Sequence, residues 1–506
     1  MSTDLDPRKR RWILVALMLA MMLAAMDTTI VSTAIPQIVG DLGGFALFTW
    51  MFSIYLLAQT VTIPIYGKLA DLFGRKPILI VGALIFLIGS AASALAWDMT
   101  SLIVFRGLQG LGAGSIMATV NTLAGDLYSI RERARVQGWL SSVWGVAAVV
   151  GPMLGGALAE YVSWRWIFLI NLPIGALAIG LIACFLHEKP QHRQPRVDFA
   201  GAGLMMCAGC VLIFGLLEGG QAWPWWSAPG IGVFALAALL IAATVWVERR
   251  AAEPIMPGWL WRDRVLAGTN LSMIGMGMVL MGPTAYLPTF GQSVLGLGAI
   301  GAGFVLASMS IGWPLASALS GSLYLRIGYR DAGICGALLI VTATFAFLVL
   351  PDPTPVWLLV LDQVVLGAGF GLLSTPFLVG VQSAVGWRKR GTVTGANIFS
   401  RYLGQTLGAA IFGAIFNNAV RTQLANAPAS LRADLPQHVD AVVDSLHGGR
   451  LPWLADEYLR QAILLATEHV YIGLTVIAVC TLIVALRTPR DFAQVDAMPK
   501  DSIDPS

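Results

Sequence analysis

The chain has 506 residues, 57% hydrophobic and only 12% charged, proportions that exclude a soluble domain and describe a multi-span membrane protein. Its net charge of +4 follows from basic residues placed between apolar runs, so it does not point to nucleic acid. Fourteen runs, bounded by glycine, proline or charge clusters, fall at about 13–36, 46–69, 77–97, 100–122, 136–160, 165–186, 198–218, 228–248, 266–291, 298–325, 332–350, 356–382, 394–419 and 465–487. Each is read as a helix, because an open strand leaves its backbone polar groups unsatisfied in lipid.

The first span carries Asp27, the single ionisable side chain between Trp12 and Pro36. A carboxylate there costs about 2.5–3.5 kcal/mol even on a lenient insertion scale, which argues for a task such as proton uptake or cation pairing. Thr28, Thr29, Ser32 and Thr33 beside it suggest a face that lines a water-filled cavity. This span is too long for a removable signal peptide, and no A-x-A site follows it. The second span offers Trp50, Tyr55 and Gln59 to a cavity, and the loop GKLADLFGRK at 67–76 follows it. Gly67 and Gly74 permit a tight reversal in that loop, and Asp71 joins the basic pair Arg75 and Lys76 at its rim. Topology alone explains Arg75 and Lys76 but not Asp71.

In the fourth span Arg106 precedes Gly110, Gly112 and Gly114, so it must face the bundle and find a partner. Asp27 is the nearest candidate, directly or through water; a static pair, or binding to carbonyls, is the alternative. Asn121 lies further along. In the fifth span Gly145, Gly151, Gly155 and Gly156 allow a close helix contact, and Pro152 is expected to kink it. The sixth span holds Asn171. CAGC at 207–210 matches a redox spacing but reads as small-residue packing in a span. Tyr286 and Gln292 in the ninth span, Gln363 in the twelfth, and Asn397 and Arg401 in the thirteenth complete the cavity candidates, of which about half are expected to line a pocket. Asp362, beside Gln363, is a second candidate for a proton or cation. The long segment at 420–464 is expected to form a helical hairpin or solvated cap over the external mouth.

With the N-terminus inside, 25 of the 32 basic residues fall on the cytoplasmic side, which fits an even span count and two cytoplasmic termini. The chain also repeats itself at offsets of 252 to 257 residues. Gly67, Gly74 and Lys76 match Gly321, Gly328 and Arg330; Arg106 matches Gln363; Pro36 matches Pro288. Asp71 is replaced by Leu325, and no acid stands opposite Asp27, so ion handling is expected in the first half. The resulting domain plan is a six-helix bundle at 1–190, two inserted helices at 191–255, a second bundle at 256–490 and a tail at 491–506. No histidine–cysteine cluster or phosphate loop is present, and no nucleophile–base pair lies in the spans, so neither metal, ATP nor enzyme chemistry is expected.

These motifs resemble the major facilitator superfamily. GKLADLFGRK looks like the loop signature after its second span and LIVFRGLQGLGAGS like its fourth-span motif. GVAAVVGPMLGG is similar to the fifth-span signature of drug/proton antiporters, while MDTTIVSTAIPQI and WRWIFLINLPIG resemble the fourteen-span EmrB/QacA type. The resemblance implies proton coupling through Asp27 and Arg106, and a cytoplasmic gate of Gly67, Asp71, Gly74, Arg75 and Lys76. In that gate Asp71 and Arg75 latch the loop to the second half near the start of the thirteenth span. It further implies a monomeric multidrug exporter of the bacterial inner membrane, which uses the proton gradient without a cofactor and takes hydrophobic or cationic compounds. The sequence identifies no periplasmic adaptor. A dedicated exporter or proton symporter of one metabolite, and a non-transporting receptor or scaffold, are the alternatives.

Overall fold

The computed structural model describes residues 7–44, 47–188, 198–219, 223–351, 354–428, 430–432, 434–436, 442, 446, 452–490 and 492. The tail expected at 491–506, apart from Phe492, and the basic residues Lys189, Arg193, Arg196, Arg450 and Lys500 lie outside them.

Among the described residues every named element is a helix. The first half contains α1 (Pro7–Ile30), α2 (Ile35–Leu42), α3 (Phe48–Phe73), α4 (Arg75–Ala94), α5 (Met99–Leu127), α6 (Ile130–Tyr161), α7 (Trp166–Leu169) and α8 (Asn171–Phe185). Two further helices follow, α9 (Phe199–Glu218) and α10 (Ala228–Glu248). The second half contains α11 (Trp259–Arg262), α12 (Arg264–Ser293), α13 (Ala299–Ala307), α14 (Met309–Ile327), α15 (Tyr329–Leu348), α16 (Val356–Ser383), α17 (Arg390–Ala425) and α18 (Trp453–Arg487).

Twelve helical stretches among the described residues are long and apolar enough to cross a membrane. The two expected spans outside that set, 46–69 and 394–419, form α3 and α17, which are 26 and 36 residues long. Gln59, Thr60, Lys68 and Asp71 dilute the first, and Asn397, Ser400, Arg401 and Gln405 the second. These are the two helices that pack on each other at the centre.

Local chemistry explains where the boundaries differ from the sequence reading. The first span bends through a 3-10 turn at Val31–Ala34, because Pro36 cannot supply an N–H to a continuous helix. The hydroxyls of Thr28, Thr29, Ser32 and Thr33 each donate to a carbonyl three residues back, which loosens the same turn. Of the segment expected to form an external hairpin or cap, the ends are helical, since α17 continues to Ala425 and α18 starts at Trp453, while residues 429, 433, 437–441, 443–445 and 447–451 lie outside the described residues. Tyr458 donates to the Gln423 carbonyl at 2.7 Å and joins these two helices.

Each half has its own core. Leu17, Phe86 and Phe168 belong to one, and Phe290, Phe370, Phe412 and Tyr471 to the other. The repeat is visible in backbone geometry, since Gly74 (φ 98°) and Gly328 (φ 92°) occupy the same glycine-favouring region between consecutive helices. Beside each glycine the matched basic residue caps the last helix of its own half. Lys76 donates to the Ala183 carbonyl at 2.9 Å, and Arg330 donates to that of Leu486.

The helix α9 rests on α3 through Leu57, Val61 and Ile213, touches α17, and carries α10 on its outer side. Trp50 packs at a tilt against Phe214 of α9, with ring centroids 5.6 Å apart, so this cavity candidate holds the added helices to the first half.

Candidate functional site

Most of the buried charges among the described residues form two clusters. The first lies inside the N-terminal half, where α5 brings Arg106 against α1. The start of α5 is fixed by Asp98, whose side chain accepts the Ser101 N–H at 2.6 Å and is thereby held below the ordinary carboxylate range. Two turns on, Arg106 Nη1 donates to Asp27 Oδ2 at 2.5 Å and to Gln109 Oε1 at 2.8 Å. Gln109 Nε2 donates to the other Asp27 oxygen at 2.8 Å, so both carboxylate oxygens are bonded. Arg106 Nε reaches the Met51 carbonyl at 3.4 Å, and its guanidinium lies 4.3 Å from the centre of the Tyr55 ring. Asp27, Arg106 and Gln109 have no exposed surface. Arg106 Nη2 and the Tyr55 hydroxyl have no hydrogen-bond partner. Close packing permits this burial, because α5 presents Gly110 and Gly114 to the backbone of α3 and Gly112 to α4.

The second cluster joins the two halves at the face where α1 begins and α18 ends. Asp71 accepts the backbone N–H groups of Gly391 (2.9 Å) and Thr392 (2.7 Å) and the Thr392 hydroxyl (2.8 Å). Its position is electrostatically favourable, because these are the first-turn donors of α17, which has no side-chain cap of its own. Gly67 lies so near Gly391 that a side chain on either would strike the other's backbone. Arg75, wholly buried, donates to Asp71 and to Asp126 at 2.9 Å each and to the Trp387 carbonyl at 2.6 Å. Its guanidinium also sits 3.9 Å from the centre of the Trp387 ring. Asp126 also binds Arg390 at 3.1 Å, an ion pair that joins the two halves. Glu188 accepts the N–H groups of Arg75 (3.1 Å) and Lys76 (2.8 Å), closing the start of α4.

Between the clusters lies a buried layer of amides. Gln382 Nε2 donates to the Asn121 carbonyl (3.1 Å) and to the Thr394 hydroxyl (3.0 Å), while Gln137 Nε2 reaches Asn121 Oδ1 at 3.4 Å. Asn121 therefore faces the seam. Tyr55 and Gln59 meet Tyr402 of α17 there as well.

The fifth-span glycines divide between two neighbours. Gly145 packs on Ser310 of α14, whereas Gly151 and Gly155 pack on Thr29 and Ile30 behind Asp27. Thr29 donates across this contact to the Ala147 carbonyl at 2.9 Å, so it faces α6 and not a cavity. Gly156 has nothing within 4 Å and makes no close helix contact, because it points away from both neighbours. Pro152 is accommodated inside the continuous helix α6.

Other sequence candidates lie apart from the first cluster. Asn171 donates to the Ser90 hydroxyl at 3.0 Å and ties α8 to α4. Tyr286 stacks on Phe416 at 4.9 Å within the second half, and Gln292 lies half-buried near the end of α12. Asn397 reaches Asn270 at 3.4 Å, Arg401 covers the Tyr402 ring at 5.3 Å, and Gln363 binds Asp362 at 3.0 Å. Sequence reasoning missed Gln109, Asp126, Gln382, Trp387 and Arg390. Gln109 was within reach, three residues after Arg106 and so on the same helix face.

Residues 17–409 match the family model described as Major Facilitator Superfamily. The multidrug transporter protein MdtP of Bacillus subtilis (strain 168) is 35% identical over 417 residues, 82% of this chain and 77% of that protein. Multidrug resistance protein 3 of the same strain is 34% identical over 433 residues, 84% of this chain and 83% of that protein. The crystal structure of the human organic anion transporter MFSD10 (TETRAN) superposes with a TM-score of 0.64 at 14% identity, covering 95% of this chain and all of that one.

Proposed function

The chain belongs to the major facilitator superfamily, as a transporter and not an enzyme, and on that premise we propose that it is a proton-coupled multidrug exporter working by alternating access. Fourteen helices cross the bacterial inner membrane in this reading, with both termini cytoplasmic. The protein acts as a monomer and needs no cofactor, the proton gradient being its energy source. The names of the two Bacillus relatives support a broad cargo of hydrophobic and cationic compounds.

The observation that carries the reading is the sealed Asp27–Arg106–Gln109 cluster. As an ion pair it is internally compensated. A proton on Asp27 removes the attraction and leaves Arg106 as an unbalanced buried charge, which favours a rearrangement of α5 against α1. Asp27 thus takes the proton, and Arg106 makes the bundle respond to it. The inter-half bonds of Asp71, Arg75, Asp126 and Arg390 all lie on the face where α1 begins and α18 ends, which supports a conformation shut towards the cytoplasm. One proton moving down about 100 mV supplies about 2.3 kcal/mol. At about 1.4 kcal/mol per tenfold gradient, exchange for one neutral molecule sustains roughly fiftyfold accumulation.

The test is reconstitution into liposomes with an imposed pH gradient and a panel of lipophilic cations and neutral compounds. The wild type is expected to move substrate while dissipating the gradient, and Asp27→Asn to lose that coupling. Full coupling in the variant refutes the assignment.

A further inference from the structure

The second half has no acid opposite Asp27, yet it buries one elsewhere. Asp362 stands in α16 with 7% of its surface exposed, next to Gln363, the residue that replaces Arg106. Gln363 Nε2 donates to Asp362 Oδ2 at 3.0 Å. The two remaining acceptors, Asp362 Oδ1 and Gln363 Oε1, have no hydrogen-bond partner. Tyr471 of α18, wholly buried and held by stacking on Phe347 at 3.6 Å, faces the same two residues; its hydroxyl is turned towards Gln363 without reaching hydrogen-bond geometry.

We propose that Asp362, Gln363 and Tyr471 form a second proton-binding site, in the half that lacks a counterpart of the Asp27–Arg106 pair. The reasoning is one of donor and acceptor balance. An ionised carboxylate offers only acceptors, and the single donor it receives comes from an amide. A proton on Oδ1 turns that orphaned acceptor into a donor, and the orphaned Gln363 Oε1 is an acceptor of the kind that acid–amide pairing uses. Buried polar groups are rarely left unmatched, and the proton is the smallest ligand that matches these two. Among the described residues no cation pairs with the carboxylate. Arg133 is bound to the Tyr128 carbonyl and Ser383, Arg390 to Asp126, Arg330 to the Leu486 carbonyl, and Arg401 lies over Tyr402. Of the titratable groups on the surrounding helices, Tyr471 is the one that faces Asp362.

Infrared difference titration of the full chain in lipid nanodiscs tests the site without any transported substrate. The wild type is expected to show a protonated-carboxyl C=O band that Asp362→Asn removes and Asp27→Asn leaves in place. If Asp362→Asn does not fold, Gln363→Leu serves. It removes the amide donor and is expected to shift the same band to higher wavenumber, as a carbonyl stretch does on losing a hydrogen bond. A band unchanged in Asp362→Asn, or in Gln363→Leu where that variant stands in, overturns the proposal. So does a band abolished when sodium replaces choline in the buffer, which makes the site one for a metal cation. A second arm rests on the proton-coupled reading above. The protons exchanged per substrate, taken from reversal potentials in liposomes, are expected to fall by one in Asp362→Asn. Loss of coupling in the wild type defeats that reading, while the infrared result still stands or falls by itself.

Discussion

The two halves share a backbone plan and differ in how they satisfy their buried polar groups. In the first half Arg106 has Asp27 as counter-ion and Gln109 to fill the remaining valence. In the second the matching Gln363 binds its own neighbour Asp362 and no guanidinium is present. The same contrast holds at the seam. The helix α6 caps its own first turn with Ser129 and Glu132, whereas α17 takes its cap from Asp71 across the interface. Leu325 therefore suffices where the first half needs Asp71. It is 49% exposed and makes no polar bond, and Tyr324 beside it donates instead to the Ile130 carbonyl at 2.5 Å. The halves agree in backbone geometry at Gly74 and Gly328, and Asp71 and Arg106 of the first half each meet a partner that Leu325 and Gln363 do not have.

Arg106→Leu strands Asp27 without its counter-ion and is expected to cost about 3–5 kcal/mol, seen as a lower thermal unfolding midpoint in detergent. Gln363→Leu, its counterpart, is expected to cost about 1–3 kcal/mol. Equal losses would break the comparison. Next comes Asp71→Ala, which removes a buried hydrogen-bonded charge from the closed seam at about 2–5 kcal/mol. Spin-label distances across the face where α1 begins and α18 ends are expected to lengthen in it, while Leu325→Ala changes stability by no more than about 0.5 kcal/mol. Where the halves are alike the effects are expected to match: Gly74→Ala and Gly328→Ala each cost about 1–3 kcal/mol, since both sit where a side chain is strained. Smallest is Gly156→Ala, with open space around it, expected within about 0.5 kcal/mol by the same unfolding assay.

Much of this architecture was legible because lipid allows few solutions. Apolar run length marks the helices, and an arginine such as Arg106 inside a span must have a partner, so its pairing with Asp27 followed from expense alone. Glycine pairs at constant offset exposed the duplication, and Gly74 and Gly328 carry it into backbone angles. The inter-half partners were not legible. Asp126 and Arg390 lie 264 positions apart, and Arg390, inside the basic run WRKR, is indistinguishable from a topological charge. Trp50 and Asn171 illustrate the reverse error. A polar or aromatic residue in a span serves a cavity or ties two helices together with equal chemical fitness, and only the fold decides.

Along α6, the contacts at Ala134, Gly138 and Gly145 belong to α14 of the opposite half, and those at Ala147, Gly151 and Gly155 belong to the strip of α1 behind Asp27. One rod thus rests on two bearings. Interhelical contacts this close leave little slack, so a tilt of α6 at one bearing would be felt at the other. Pro152 lies in the stretch that rests on α1, past the point where the contacts of α6 change from one half to the other.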